Sequence, residues 1–138
     1  MAAPLLCGLF FYALFQFVLF IGYVPSASME PTISANSFVL GTRIFGDLQR
    51  GDIVIFEHEG RMLTKRIAAL SGDIVYIDDV SRTVAVGKYE QPTARIITVP
   101  DGHCFLLGDN VSESIDSRYW IEPCISLENI IVIILKII

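Results

Sequence analysis

The chain has 138 residues, enough for one folded domain, and its first 24 are strongly apolar, so about 110 residues are left to build a soluble core. A formal net charge of −5, with no basic cluster, excludes a general nucleic-acid binder, which needs a basic face to release counterions. Cys7 lies in the apolar run, and Cys104 and Cys124 lack the paired short spacing of a zinc site. They read as two small core residues rather than a disulfide.

In chain order, the first feature is Leu5 to Val24, 20 residues without a charge and with Gln16 as the one strongly polar side chain. A helix of that length spans about 30 Å, so the run reads as a membrane anchor over residues 1–24, followed by a domain over 25–138. It is too long, and lacks the basic start, for a cleavable signal peptide. No Lys or Arg precedes it and the next is Arg43, so charge does not orient it. Pro25-Ser26-Ala27-Ser28-Met29-Glu30-Pro31-Thr32 follows at once. A hydroxyl four residues past Val24, between two prolines, is within about 15 Å of the end of such a helix and is a candidate for chemistry at a membrane surface.

Beyond Thr32, short β-branched and apolar runs alternate with Gly-Asp turns, predicting a mainly β, antiparallel domain. Strands are expected near Ser37–Gly41, Asp52–Glu57, Arg61–Leu70, Ile74–Ile77, Thr83–Val86, Arg95–Val99 and Cys104–Leu107, with a hairpin turn at Glu59-Gly60. The apolar C-terminus, Ile130–Ile138, is too short to span a bilayer and reads as a strand buried on both faces.

Alternation along Leu63–Ala69 puts Lys65 on one face with Leu63, Ile67 and Ala69, and Arg66 on the other with Thr64 and Ala68. A lysine among apolar neighbours loses hydration, which lowers its pKa and lets it accept a proton. Taken alone, an edge-strand or snorkelling lysine is the plainer reading. Ser28 changes the balance, because a serine needs a base and a serine–lysine pair is an established alternative to serine–histidine. His58, in Glu57-His58-Glu59-Gly60, and His103, in Pro100-Asp101-Gly102-His103, read as solvated turn residues, and no local pattern supports a Ser28–His103–Asp109 triad.

Four stretches then share one resemblance. Pro25 to Thr32 resembles the serine box of bacterial type I signal peptidases, and Gly51-Asp52-Ile53-Val54-Ile55-Phe56 the strand that follows it. Lys65-Arg66-Ile67 through Gly72-Asp73 resembles their lysine box, and Gly108-Asp109-Asn110 through Asp116-Ser117-Arg118-Tyr119-Trp120 the last box. The resemblance implies a membrane-bound serine endopeptidase that removes signal peptides from exported precursors, on the extracytoplasmic side of the bacterial cytoplasmic membrane. It implies Ser28 as nucleophile, Lys65 as general base, the Ser28 N–H and Ser26 hydroxyl as oxyanion hole, and Ser114 as the residue orienting the lysine. Arg66 with Asp109, and Asp116 with Arg118, match structural ion pairs. No metal or organic cofactor is implied; the partners are precursor proteins and membrane lipid. Ser71 stands where Pro is usual, Val111 where a basic residue is common and Ile121 where Gly is usual, and the short interval before Gly108 leaves no room for a large second domain. The competing expectations are a relative of the self-cleaving SOS repressors, whose DNA-binding domain this chain replaces with an apolar run, and an inactive membrane-tethered β-domain that binds translocating chains.

Overall fold

The computed structural model describes residues 2–88 and 94–138. Helix α1 (Ala2–Phe17) is followed by β1 (Leu19–Val24), β2 (Ser37–Thr42), β3 (Ile53–His58), β4 (Arg61–Leu70), β5 (Ile74–Ile77), β6 (Val84–Val86), β7 (Arg95–Thr98), β8 (His103–Leu107), β9 (Cys124–Ser126), a 3₁₀ turn at Leu127–Asn129, and β10 (Ile130–Ile137). Seven strands form an antiparallel sheet in the order β1-β2-β10-β3-β4-β8-β9, and β6-β5-β7 form a smaller one. The mainly β, antiparallel expectation holds.

The expected helix from Leu5 to Val24 does not. The helix ends at Phe17, and Leu19–Val24 pairs with Ser37–Thr42 as a strand. The cause is tertiary pairing: Leu19–Val24 is rich in β-branched and aromatic residues, and burying Val24 under the sheet while Ile21 and Tyr23 stay exposed needs period two, not 3.6. At 16 residues α1 is about 24 Å long, and no helix among the described residues is long and apolar enough to cross a membrane. Its side chains are nevertheless apolar and exposed: Leu5, Leu6, Leu9, Phe10, Phe11 and Phe17 all face outward.

The C-terminal segment departs in a different way. It is an interior strand, between β2 and β3, and buries Ile130 and Val132, but from Leu135 onward its side chains are exposed. Strand β9 was not expected at all; it covers the outer edge of β8. Its register pairs Phe105 with Cys124 and Cys104 with Ile125, so the two cysteines point to opposite faces and both are free thiols. Burial pushes the Cys104 thiol up to about 12, as befits a core residue.

Three apolar clusters fix the parts that matter for function. Val54, Phe56, Ile67, Cys104, Leu106, Ile125 and Ile130 lock β3, β4 and β8 together. Ala69, Val75, Ile77, Val99 and Phe105 seat the small sheet on the large one. The third joins Val24, Val39, Ile55 and Val132 to Met29 and Ile33, both fully buried. Burial of a side chain of that size stabilises by about 1.5–3 kcal/mol, so the segment around Ser28 is nailed down by the residue immediately after it and again four residues later.

Candidate active site

The turn carrying Ser28 is built from its own backbone and from the loop after β8. Glu30 N–H donates to the Ala27 carbonyl (3.1 Å), Ile33 N–H to Met29 (2.9 Å) and Asn36 N–H to Val24 (2.8 Å). Asn110 reaches across and donates twice: its backbone N–H to the Ser28 carbonyl and its side-chain amide to that of Ala27, each at 3.0 Å. Ser28 is thereby held in a fixed orientation, 8% exposed, with its Oγ 3.3 Å from Ser26 Oγ.

Lys65 lies where alternation on β4 places it, on the buried face with Ile67 and Ala69, and is only 4% exposed. Its Nζ donates to Ser114 Oγ at 3.0 Å, and Ser114 Oγ donates on to Asp116 Oδ2 at 2.7 Å. Asp116 is completely buried and saturated: it also accepts from Gly108 N–H (3.0 Å) and from two guanidinium nitrogens of Arg118 (both 2.8 Å). Burial lowers the Lys65 pKa below its usual value; the Asp116 carboxylate pulls it back up and the Arg118 charge pushes it down. Burial alone would raise Asp116, but hydrogen bonds from Arg118, Gly108 and Ser114, with the Arg118 charge, outweigh it and hold the carboxyl below its usual range.

A second pair braces the other face of β4. Arg66 donates to Asp109 through Nε (2.9 Å) and a terminal nitrogen (2.7 Å), and Thr32 Oγ1 donates to the same carboxylate at 2.5 Å. The guanidinium hydrogen bonds hold Asp109 below the usual carboxylate range. This ties Thr32 at the end of the serine turn to the lysine strand and to the loop after β8. The Asp116–Arg118 pair is fully enclosed, unlike a surface salt bridge, whereas Arg66–Asp109 is partly exposed, with side chains 33% and 17% accessible.

Ser26, Ser28 and Lys65 line one cleft of about 640 Å³, with Tyr23, Val24 and Pro25 on one wall and Arg61 to Thr64 on the other. Three strands lie between β1 and β4 in the sheet, so the sheet curls to bring them face to face. Residues Arg61–Lys65 pair only with β3, because β8 joins β4 from Arg66 onward, so the backbone edge facing the cleft is open. No direct Ser28–Lys65 hydrogen bond is present among the described residues, but both groups open onto the same space.

Sequence reasoning brought Ser26, Ser28, Lys65, Ser114 and both ion pairs to this region. It misjudged His58, which is not a solvated turn residue: its ring stacks on Trp120 with centroids 4.1 Å apart, and its Nε2 is buried without a hydrogen-bond partner. His103 is kept out of the cleft by its turn, where its Nδ1 meets the Asp101 carbonyl at 2.8 Å, and Asp109 is committed to Arg66, so the alternative triad does not assemble. Two contributors lay in the last box without a role read for them. Asn110 is recognisable only through the two carbonyls it meets, and Gly108 only through the space it leaves for Ser114. Among the described residues no group of His, Cys, Asp and Glu could hold a metal ion.

The family model for signal peptidase, peptidase S26, matches residues 1–95 and 80–134. The chain belongs to that family. Signal peptidase I of Pseudomonas aeruginosa is 27% identical over 155 residues, covering 72% of this chain and 55% of the enzyme. Mitochondrial inner membrane protease subunit 1 of Mus musculus is 33% identical over 119 residues, covering 82% of this chain and 66% of that protein. The chain spans about half the length of the curated bacterial signal peptidases it matches. In fold it is similar to the crystal structure of a signal peptidase I from Enterococcus faecalis, with a TM-score of 0.51 at 23% identity, covering 67% of this chain and all of that one. In this member of the S26 family, Ser26, Ser28, Lys65, Glu113, Ile115 and Trp120 line one cleft.

Proposed function

We propose that this protein is a serine endopeptidase that cleaves signal peptides from precursor proteins with a Ser28–Lys65 dyad. The observation that carries the reading is the buried Lys65 Nζ, held by Ser114 and opening onto the cleft that Ser26 and Ser28 line. Lys65, in the neutral form that desolvation favours, takes the Ser28 hydroxyl proton as Oγ attacks the scissile carbonyl carbon. The oxyanion that forms is met by the Ser28 N–H and the Ser26 hydroxyl. The Lys65 ammonium then gives its proton to the departing amine, leaving an ester on Ser28. Water, deprotonated by the same lysine, hydrolyses that ester and restores the serine. Ser114 and Asp116 keep Nζ in place, Arg118 keeps Asp116 ionised, and Arg66 with Asp109 fastens the two walls. The chemistry needs no metal or organic cofactor.

The substrate enters as an extended chain against the open edge of Arg61–Lys65, with its backbone completing the sheet and small residues, such as Ala, fitting before the cleaved bond. The substrates are exported precursors rather than nucleic acid. The exposed apolar faces of α1, of Ile21, Tyr23 and Phe38, and of Leu135 and Ile138 suit contact with lipid and support a cleft working at a membrane surface. The setting is the extracytoplasmic face of a bacterial cytoplasmic membrane, with α1 as part of a single anchor; the similarity to mitochondrial inner membrane protease subunits makes that organelle's inner membrane the other setting. The departures at Ser71, Val111 and Ile121 do not favour an inactive binding domain. All three are exposed, and Ser71 compensates for the missing proline by accepting from Gly102 N–H at 3.0 Å.

The test is cleavage of a precursor with an Ala-x-Ala end by detergent-solubilised protein, with Ser28→Ala and Lys65→Ala each expected to abolish it while the fold persists. Activity retained in Lys65→Ala would overturn the dyad, and no cleavage by the wild type would favour a binding role.

A further inference from the structure

The cleft extends past the dyad, and what lines it there has no part in the chemistry. Ser114 is flanked by Glu113 and Ile115, and both neighbours line the same cleft as Ser28 and Lys65. Ser114 itself is buried, 3% exposed, whereas Glu113 and Ile115 point outward, Ile115 at 71%. No ion pair engages the Glu113 carboxylate among the described residues, so its charge is available to whatever passes over it.

The reaction itself orients a bound chain. Strands β1 and β4 both run toward the dyad, one ending just before Ser26 and the other passing through Lys65, so residues before the cleaved bond lie along Tyr23–Pro25 and Met62–Thr64. The proton on Lys65 must be handed to the leaving amine, so that amine lies beside Nζ. Nζ rests on Ser114 Oγ at 3.0 Å. The segment that follows the cleaved bond therefore departs over the loop that carries Ser114, across Glu113 and Ile115.

Resting on the proposed peptidase reading, we infer that Glu113 and Ile115 form the subsite for the first residues after the cleaved bond, and that Glu113 selects against acidic residues and for basic ones there. Ile115 supplies an apolar surface for the stem of a lysine or arginine while Glu113 meets its charge. A rim carboxylate acts through a solvent-screened interaction, so the preference is moderate, about three- to tenfold between a basic and an acidic residue at low salt. It shrinks toward unity near 1 M salt, where the screening length is about 3 Å.

The experiment uses the full chain in detergent and peptides with one Ala-x-Ala end followed by Lys, Ala or Glu, all else equal. The readout is the ratio of kcat/KM for the Lys peptide over the Glu peptide, which is independent of the overall activity of each variant. The expected ratio is above three for the wild type and for Glu113→Asp, near one for Glu113→Gln, and below one for Glu113→Lys. Equal rates for the three peptides with the wild type, or a preference that survives Glu113→Lys, would overturn the subsite while leaving the peptidase reading intact. Failure to cleave any of the three would overturn both.

Discussion

Gly108 offers a direct test of how tightly the site is built. A Cβ at this position would stand 2.1 Å from Ser114 Oγ, 2.5 Å from Ser114 Cβ and 2.6 Å from the Ser28 carbonyl oxygen. The first two belong to a short, buried side chain and the third to the backbone of Ser28, so no flexible group can absorb the clash. In Gly108→Ala, either Ser114 turns away and gives up its bonds to Lys65 and Asp116, or the Ser28 backbone moves. Overpacking costs about 1–3 kcal/mol, and a buried polar group left unpaired about 1–3 kcal/mol more, so a loss of about 2–6 kcal/mol is expected in urea unfolding. A displacement on the order of 1 Å at reacting groups lowers kcat/KM about 100-fold, measured on the folded fraction with an Ala-x-Ala peptide. A Gly108→Ala protein with an unchanged unfolding midpoint and kcat/KM within twofold of wild type would refute the reasoning. Gly72→Ala is the contrasting case: the space is open but φ is +85°, so about 1–2 kcal/mol of stability is lost and activity is kept.

The pH–rate profile should show activity rising with pH along a limb centred below the ordinary lysine value, because in the proposed mechanism Lys65 acts only when neutral and burial lowers its pKa. Lys65→Met should be inactive yet more stable at neutral pH. The unfolded chain binds the proton that the folded chain resists, and the gain is about 1.4 kcal/mol for each unit by which the folded pKa is lowered, shrinking as pH rises through the window up to the unfolded value. Arg118→Met leaves the Asp116 charge buried without its partner and should cost about 3–5 kcal/mol in urea unfolding. Asp116 has a depressed pKa in the fold, so in the wild type its contribution is fully present above the unfolded carboxylate value of about 3.9; it should be lost as pH falls from there through the folded value, seen as acid unfolding.

What was legible in the sequence follows from how local each determinant is. The burial of Lys65 was visible because a strand's period of two is a local property, and β4 obeys it from Leu63 to Ala69. The start of β5 was visible because the Gly72-Asp73 turn stands directly before it. The run from Leu5 to Val24 was misread after Phe17 because hydrophobicity does not distinguish a segment solvated by lipid from one paired with another strand; the partner, Ser37–Thr42, lies 13 residues or more away in the chain. His58 was misread for the same reason, since its neighbours Glu57 and Glu59 are charged but Trp120, which covers its ring, is remote. The motif resemblance supplied Ser26, Ser114 and the ion pairs, and it could not say that Asp116 and Arg118 are sealed from water.

That enclosure resolves a tension in the site. In the proposed mechanism the general base is a lysine that must be neutral near working pH, and a carboxylate in direct contact would keep it charged. Here Asp116 does not touch Nζ: Ser114 stands between them, donating to Asp116 while accepting from Lys65. Arg118, on the far side of Asp116, offsets the carboxylate's field at the lysine. Desolvation is then the largest influence on Lys65, and a hydroxyl, which carries no charge, fixes its direction. The carboxylate is present because Ser114 needs an acceptor to hold its rotamer, and Arg118 because a buried carboxylate needs a countercharge. Each layer satisfies the polar group inside it, and in the proposed mechanism the lysine at the centre is the group whose proton moves.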